Sequence, residues 1–469
     1  MGSLVDWVAP QTEDSAARRF LYSSVFWLLV GVLLGLTMVV KVLVPDLLGG
    51  VAWLSFGRIR QIHVDLGLFG FLSAALLAAA CFVVPRLCRA PLAGERAANL
   101  AVWAWNAAAA LAVITLAGGQ TRGREWGEAV WSVDLLRLAA FVLLWFAVFR
   151  TIRRRRSPEM YVTLWYLAAA LVWGPMVLFF GKGLWAPATP YAGVVEALAG
   201  WFTGHGMITL WAGALALGVA YYLVPRLSGN PLYSVTLAAV GFYGLALFGP
   251  FAGPLPSVGG PAPYWLQTVA VVAGVMLLIP GLSAATNLWR TLGGAWDRVR
   301  ADVALAFAVV GILAYLLSVV QGALAALRVV HNFLAFTQWG AGQTMLTLGL
   351  AYGSFALAAV YHMLPAVTGR RLYSERLAWW HFWLSVLGWV VFLSLFWVAG
   401  LVEGVMWNAG ATPFIASVKA TVPLWAGRLV AGTAIVTAQV LFAYNVYSTA
   451  VAGTTVPAAE REREAVATA

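Results

Sequence analysis

The amino-acid sequence predicts an all-α integral membrane protein whose twelve transmembrane helices form three pseudo-symmetric four-helix arcs. The composition is the first reason, because 62% of the 469 residues are hydrophobic and only 10% are charged. Soluble domains contain about 45–50% apolar and about 25% charged residues. The second reason is a series of long apolar runs, and the third is a helix end that recurs at a fixed spacing. The composition leaves no room for a large soluble domain.

Twelve apolar runs approach or exceed the length of about 20 residues that a membrane-spanning helix needs. They lie at roughly 20–45, 62–85, 97–118, 131–150, 160–181, 192–225, 233–250, 264–288, 301–326, 340–366, 378–402 and 422–450. We expect a cytoplasmic N-terminal segment (1–19), a transmembrane domain (20–451) and a cytoplasmic tail (452–469). The first 19 residues contain no pattern of a cleavable signal.

The net charge of +11 is distributed along the chain in a way that predicts its orientation. An even number of spans places both termini on one side of the membrane. The loops on that side are rich in arginine, including the run Arg153–Arg156, whereas the opposite loops contain few basic residues. Because cytoplasmic loops carry the excess of Lys and Arg, both termini are predicted to be cytoplasmic. Basic residues in such loops favour contact with anionic lipid and not with nucleic acid.

An internal repeat supports the three arcs. The first copy ends in Val84–Leu87 (Val-Pro-Arg-Leu), the second in Val224–Leu227 (Val-Pro-Arg-Leu) and the third in Leu364–Val367 (Leu-Pro-Ala-Val). Successive prolines in this series are 140 residues apart. A fixed period that ends on the same helix terminus indicates one structural unit used three times. Four helices per unit account for the twelve spans.

The five histidines all lie in or beside apolar runs: His63, His205, His331, His362 and His381. An ionisable side chain inside a membrane helix is a functional candidate because hydrocarbon penalises it. Each could equally be a neutral, hydrogen-bonded residue of the bundle interior. His362 and His381 lie near the predicted cytoplasmic ends and are predicted to be structural, while no role is assigned to His331.

The repeat brings two histidines to one level. His63 precedes its repeat proline by 22 residues and His205 precedes its own by 20, so each lies about 30–33 Å along the helix from that proline. The corresponding residues of the third unit are Gln343 and Met345. Imidazole and thioether groups both bind haem iron. The non-cytoplasmic level of the bundle is therefore a candidate haem site.

Several separate motifs occur in the order known from one family. They are Ser55–His63, Gly123–Glu128, Tyr191–Val194, Trp201–His205, Leu372–Ser374, Trp380–Trp383, and Tyr444-Asn445 with Thr449. With these motifs, the chain resembles subunit I of the haem-copper oxidase superfamily, most closely the cbb-type cytochrome c oxidases and their nitric oxide reductase relatives. The resemblance covers nearly the whole chain and implies a fold of twelve helices in three arcs, in agreement with the repeat.

The resemblance also implies a set of metal ligands. In the family, histidines on the second and tenth helices hold a low-spin haem, a further histidine on the tenth holds a high-spin haem, and three histidines on the sixth and seventh hold copper. His63 matches the ligand on the second helix, and His205 matches the copper ligand on the sixth. The other positions depart from the pattern. On the tenth helix, Met345 stands in place of the second low-spin ligand and Gln343 in place of the high-spin ligand. On the seventh helix, Phe251 and Ala252 stand in place of the remaining copper ligands, and Leu245 stands in place of the cross-linked tyrosine.

These departures predict one low-spin haem b, held by His63 and Met345, and no copper. A His/Met pair is a known haem ligation and raises the reduction potential above that of a bis-His haem. Arg58 and Arg60 are expected near the haem carboxylates, and Glu125 matches a residue that helps to bind calcium in relatives. Met345 could alternatively be a packing residue, since methionine fills gaps well.

Three hypotheses follow from the residues and the resemblance. The protein is a b-haem electron-transfer subunit of a respiratory membrane complex; or a non-catalytic scaffold, anchor or conduit without haem; or a divergent active terminal oxidase or NO reductase. The helices hold few ionisable candidates for a conduit, and Lys41, Asp65 and Glu196 form no evident relay. The expected partners are the lipid bilayer of a prokaryotic cytoplasmic (inner) membrane and a cytochrome c-type or other redox subunit.

Overall fold

The computed structural model describes residues 4–186, 190–410 and 412–457. Twelve helices in these ranges are long and apolar enough to cross a membrane, as predicted. They are α1 (Ser15–Leu43), α2 (Phe56–Cys88), α3 (Glu95–Ala117), α4 (Trp131–Arg153), α5 (Val162–Lys182), α6 (Val194–Ser228), α7 (Val235–Ser257), α8 (Tyr264–Thr291), α9 (Val303–Ala326), α10 (Gln338–Thr368), α11 (Glu375–Asn408) and α12 (Phe414–Ala452). Most of the expected tail, from residue 458 onwards, lies outside the described residues.

Several helices extend beyond the apolar runs that predict them. The helix α2 begins at Phe56, six residues before its apolar run, and α12 begins at Phe414, eight residues before its run. Hydropathy marks the part of a helix that is compatible with lipid, whereas backbone hydrogen bonds decide where the helix ends. The early start of α2 places the polar segment Gly57–His63 on a helix and not in a loop.

The three repeat helices, α2, α6 and α10, form the centre of the bundle. In the most apolar window of each, 89%, 89% and 72% of the residues are buried, compared with 28–56% in the other nine helices. Each arc thus contributes one helix to the centre of the bundle and three helices that surround the centre. The helix α1 begins and α12 ends at the same end of the bundle, which we call the termini end; the opposite end is the far end.

A π-helical segment interrupts each central helix at the same level. These segments are Leu66–Ser73 in α2, Met207–Gly213 in α6 and Leu346–Tyr352 in α10. Each begins 18 or 19 residues before the repeat proline of its helix. A π segment widens one turn and is frequently found at functional sites. His63, His205 and Met345 all lie within three residues before such a segment.

Each central helix also ends in the same way at the termini end. The residue four positions after the proline adopts a left-handed conformation, with φ of 49° at Arg89, 71° at Gly229 and 64° at Gly369. A left-handed residue terminates a helix by turning the chain away from the helix axis. The predicted repeat is therefore present in the backbone.

A side-chain clamp follows this turn in arcs two and three. In arc two, the backbone N–H of Ser234 donates to Asn287 Oδ1 at 2.9 Å, and Asn287 Nδ2 donates back to the Ser234 carbonyl at 2.7 Å. In arc three, Ser374 and Asn445 make the same pair of bonds at 3.1 and 2.8 Å. The clamp fixes the entry of the next helix in both arcs.

Candidate functional site

His63 lies on α2 against the glycine face of α1. Its Nδ1 atom is 2.8 Å from the carbonyl oxygen of Gly31. A carbonyl oxygen only accepts hydrogen bonds, so Nδ1 carries the proton and Nε2 keeps its lone pair. A Cβ atom on Gly35 would lie 2.7 Å from the His63 ring, so glycine at that position allows the imidazole to pack closely against α1. Metal-binding histidines are typically oriented by such a bond through the other ring nitrogen.

Open space lies one helical turn along α2 from His63. Gly67 lies one helical turn after His63 and is exposed, and a Cβ atom built on it would have no neighbour within 4 Å. Gly67 therefore presents no side chain that would obstruct a planar group placed next to His63.

Met345 and Gln343 lie on α10, just before its π segment, and differ in their contacts. Met345 is partly buried and packs against the central core. The Nε2 atom of Gln343 donates to the carbonyl and hydroxyl oxygens of Ser318 on α9, at 2.8 and 3.2 Å. Its Oε1 atom is buried and has no hydrogen bond to the part of the chain that is described. The amide therefore joins α10 to α9, whereas the thioether of Met345 makes no hydrogen bond to any residue that the structure describes.

His205 lies on α6 and bonds to the backbone of α7. Its Nε2 atom is 3.0 Å from the carbonyl oxygen of Gly249, so Nε2 is the protonated nitrogen. The neighbouring residues of α7 are apolar: Leu245 is 5% and Ala252 is 3% exposed, while Phe251 is 53% exposed. Within residues 4–186, 190–410 and 412–457, no group of three or more His, Cys, Asp or Glu side chains could hold a metal ion.

The remaining histidines lie elsewhere. His381 is buried and shares a hydrogen bond of 2.9 Å with the Tyr361 hydroxyl, as expected for a structural residue. His362 is at the termini end and makes ring contacts only with Phe82 and Tyr222 among its described aromatic neighbours. His331 lies in a short helix between α9 and α10, and burial lowers its pKa.

Comparison with known proteins identifies the family of this helical bundle. Residues 15–434 match the family model of cytochrome c and quinol oxidase polypeptide I. The chain belongs to that family. The predicted resemblance to subunit I of the haem-copper oxidases is thereby confirmed, and with it the fold.

Relatives in this family are bacterial oxidase subunits. The chain is 31% identical over 445 residues to the cbb3-type cytochrome c oxidase subunit CcoN1 of Stutzerimonas stutzeri, covering 92% of this chain and 94% of that protein. It is also 31% identical to the cytochrome c oxidase subunit 1 homologue of Agrobacterium tumefaciens, covering 93% and 83%. A cryo-EM structure of a haem-copper terminal oxidase dimer shares the fold, with a TM-score of 0.78 at 13% identity over 97% of this chain and 90% of that one.

The basic residues that this oxidase-family chain carries near His63 already have protein partners. Arg58 donates to the carbonyl of Ala117 at 2.9 Å. Arg60 forms an ion pair with Glu125 at 3.2 Å, and both side chains are about half exposed. The structure thus brings Arg60 and Glu125 together at the far end. The calcium expected at Glu125 remains a prediction.

The sequence did not predict a buried network of charged side chains on α2, α4 and α5. The Nη2 atom of Arg137 on α4 lies 2.6 Å from both carboxylate oxygens of Asp65, two residues after His63. Arg137 also contacts Asp134 at 3.3 Å, and Lys182 on α5 donates to the same Asp134 oxygen at 2.9 Å. Asp65 is therefore held in a buried ion pair, and the absence of a proton relay among Lys41, Asp65 and Glu196 remains a prediction. Glu196 pairs with Arg124, and both partners are supplied by helices or loops distant in sequence.

A second missed cluster surrounds Arg428 of α12. The Arg428 side chain is fully buried, with its guanidinium carbon 4.1 Å from the Phe396 ring centroid and 3.9 Å from that of Trp425. It donates to Gln338, and Gln338 in turn donates twice to Glu403, at 2.7 and 2.6 Å. A single arginine inside an apolar run is the sequence signal that would have identified this position.

Four nitrogen donors in this cluster have no acceptor among the described residues. They are Nε and Nη1 of Arg428 and the indole Nε1 atoms of Trp339 and Trp397. The two indole rings lie 6.1 Å apart, and Gly342 of α10 faces both Phe396 and Trp397. Buried donors without acceptors are costly, so a group rich in acceptor oxygens fits this position.

Proposed function

We propose that this chain is an electron-transfer member of its family that holds one low-spin haem b between His63 and Met345. The observation that carries the proposal is the orientation of His63. Its Nδ1 atom is bonded to Gly31, which leaves the lone pair of Nε2 as a possible ligand, and the space around Gly67, one turn further along α2, is open. When bound, the haem would accept and release single electrons.

The donors around Arg428 support the same site. A haem carries two carboxylates, and carboxylate oxygens are the acceptors that buried guanidinium and indole N–H groups lack here. Trp339 precedes Met345 on α10 by six residues, so these donors and the thioether lie on the same part of the far end. In this proposal Arg428 and Trp339, together with Arg58 and Arg60, position the carboxylates.

A paired iron–copper centre has little support among the side chains. Where the family carries further histidines, this chain has Phe251 and Ala252, which contain no donor atom, and Leu245 in place of the tyrosine. Nε2 of His205 is committed to Gly249, and the amide nitrogen of Gln343 to Ser318. One imidazole is too few ligands for copper, which favours several nitrogen or sulfur donors. We therefore propose that no copper and no high-spin haem are bound.

The setting of the proposed function is a respiratory membrane complex. A chain with a single haem needs a donor and an acceptor, and a cytochrome c-type or other redox subunit is the proposed partner. The cbb3-type name of a bacterial relative supports the inner membrane as the location. The arginine-rich loops support cytoplasmic termini.

Haem and metal stoichiometry tests this proposal. The chain is purified in detergent, haem is counted by the pyridine haemochrome assay, and copper is counted by atomic emission. One haem b and no copper per chain are expected, with a six-coordinate low-spin spectrum. Two haems with one copper would replace the proposal by an active oxidase or NO reductase, and no haem would replace it by a non-catalytic subunit.

A further inference from the structure

The helix α4 ends in a dense group of arginines at the termini end of the bundle. Five of the seven residues from 150 to 156 are arginine, namely Arg150 and the run Arg153–Arg156, and all five are exposed. We call these five residues the arginine cluster. In its last turn, α8 has one basic residue, Arg290, and α12 has none. The cluster therefore belongs to arc one alone and is not part of the repeat.

The arginine cluster has almost no partners within the protein. Elsewhere at the termini end, Arg86 pairs with Asp14 at 2.7 Å, and Arg298 donates to a backbone carbonyl at 2.8 Å. Among the described residues, no member of the cluster forms an ion pair. Its one side-chain hydrogen bond there runs from Arg155 to the Ile152 carbonyl, at 3.4 Å, which is long for an N–H to O bond. The guanidinium donors of the cluster are thus available to a ligand.

The carboxylates near the cluster do not neutralise it. Glu95 begins α3, the helix that packs against α4, but its Oε1 atom accepts from the Ser15 hydroxyl and the Ala16 N–H of α1, both at 2.8 Å. Within residues 135–195 the sequence contains one acidic residue, Glu159, which is exposed. Five arginines and one glutamate leave an excess of four positive charges at this end of α4. The surface therefore favours an anionic partner.

Aromatic rings lie on the exposed surface of α4 directly before the arginines. Trp145 and Phe146 are 47% and 44% exposed. The Trp145 ring stacks on Phe149 with the centroids 4.9 Å apart, and the guanidinium carbon of Arg150 lies 5.4 Å from the Phe146 centroid. Along the helix, rings are followed by guanidinium groups. A phospholipid presents acyl chains and glycerol followed by phosphate in the same order, and aromatic rings favour that interface.

The structural roles of arginine at this place explain only part of the cluster. Cations in the last turn of a helix interact with its negative end, which applies to Arg150 and Arg153. The other three follow the end of the helix. Orientation in the membrane requires positive charge but neither guanidinium groups nor rings. A guanidinium forms two parallel hydrogen bonds to a phosphate, so five unpaired guanidinium groups exceed what a single phosphate can accept.

We propose that the arginine cluster, with Trp145 and Phe146, binds an anionic phospholipid that carries two phosphates, of the diphosphatidylglycerol type. The guanidinium groups would donate to the phosphate oxygens, and the rings would pack against the glycerol and the first acyl carbons. A lipid is favoured over an acidic polypeptide because the rings lie on a membrane-spanning helix, directly below the charged groups. The proposal is independent of haem.

Native mass spectrometry of the delipidated chain, titrated with tetraoleoyl cardiolipin, tests the proposal. We expect one copy to bind at least about tenfold more tightly than dioleoyl phosphatidylglycerol, because a second phosphate adds further charge-assisted bonds. Dioleoyl phosphatidylcholine should not bind at the same concentrations. Glycerol 1,3-bisphosphate, which lacks acyl chains, should not displace the lipid. Displacement by it, or binding of a capped glutamate-rich peptide in place of the lipid, would overturn the proposal.

Two sets of substitutions locate the site. Replacing Arg153, Arg154 and Arg155 together by glutamine should weaken cardiolipin binding by at least about tenfold. Replacing them by lysine keeps the charge that orients the chain but removes the two parallel bonds, and should weaken binding about threefold or more. The matched control replaces Arg18, Arg290 and Arg376 by glutamine, since these are also exposed at the termini end. Unchanged affinity in either variant, or an equal loss in the control, would overturn the proposal.

Discussion

The two ends of the three arcs differ in how far the repeat is preserved. At the termini end, Ser234 with Asn287 and Ser374 with Asn445 make the same hydrogen bonds in arcs two and three. At the far end, the equivalent level carries two imidazoles and a thioether, each with different surroundings. At the termini end, these contacts fix the connection from the central helix to the next helix, which every arc contains. At the far end His63, His205 and Met345 make no contact that is common to the three arcs, so this level differs from arc to arc.

Arc one shows that the shared connection can be made without the clamp. Gly94 stands where Ser234 stands in arc two, and Ala147 stands where Asn287 stands. A Cβ atom on Gly94 would lie 3.0 Å from the Ala147 Cα, so the two backbones are in close contact. The bond from Ala93 N–H to the Thr151 hydroxyl, at 2.9 Å, remains as in the other arcs. Close packing thus replaces the pair of hydrogen bonds.

The largest effect is expected from removing one far-end imidazole. His63→Ala should abolish haem binding, because no other described side chain offers a free imidazole nitrogen at that position. His205→Ala, the matched change in arc two, should keep the haem. The pyridine haemochrome assay on both purified variants measures the difference. Equal haem content in the two variants would show that the far ends of arcs one and two do not differ in the way proposed.

A large loss of stability is expected from breaking the buried charge chain of the far end. Arg137→Gln leaves Asp65 and Asp134 without their shared partner, and an uncompensated buried charge costs about 3–5 kcal/mol. Arg60→Gln, which breaks the exposed pair with Glu125, should cost only about 0–1 kcal/mol. Reversible unfolding in mixed micelles gives both values. Similar losses in the two variants would contradict a structural role of the buried chain.

A moderate effect on the reduction potential of the proposed haem is expected from replacing Met345, its proposed ligand in arc three. Met345→His should keep a low-spin haem and lower its reduction potential by on the order of 100 mV, since thioether ligation favours the reduced state. Spectroelectrochemical titration measures the shift. Gln343→Ala serves as the comparison and should leave the potential unchanged. A potential that does not respond to Met345→His would leave Met345 as a packing residue.

The smallest effect is expected at the termini end, where arcs two and three share the same hydrogen bonds. Asn287→Ala removes the clamp of arc two, and leaving the partly buried backbone groups of Ser234 unpaired costs up to about 1–3 kcal/mol. Asn445→Ala should give a similar loss in arc three, because the geometry is the same. Neither change should alter the haem content. A strong loss of haem in both variants would show that the two ends are coupled.

The sequence by itself determined the twelve spans, the three-fold repeat and the level of His63 along its helix. Hydropathy reports the number of helices because every span must satisfy its backbone and face lipid. The spacing from Pro85 and Pro225 placed His63 and His205 at one level because rise per residue in a helix is nearly constant. These properties are local, so a linear reading of the chain contains them.

Only the tertiary structure decided which polar groups meet. Arg137 lies 72 residues from Asp65, and Arg428 lies 90 residues from Gln338, so neither contact has a signature in the sequence. The tertiary structure also showed that Gln343 bonds to Ser318 on α9, whereas Met345 packs against the central core. Side-chain direction depends on helix packing and on the π segments, and the three π segments contact one another where the arcs meet.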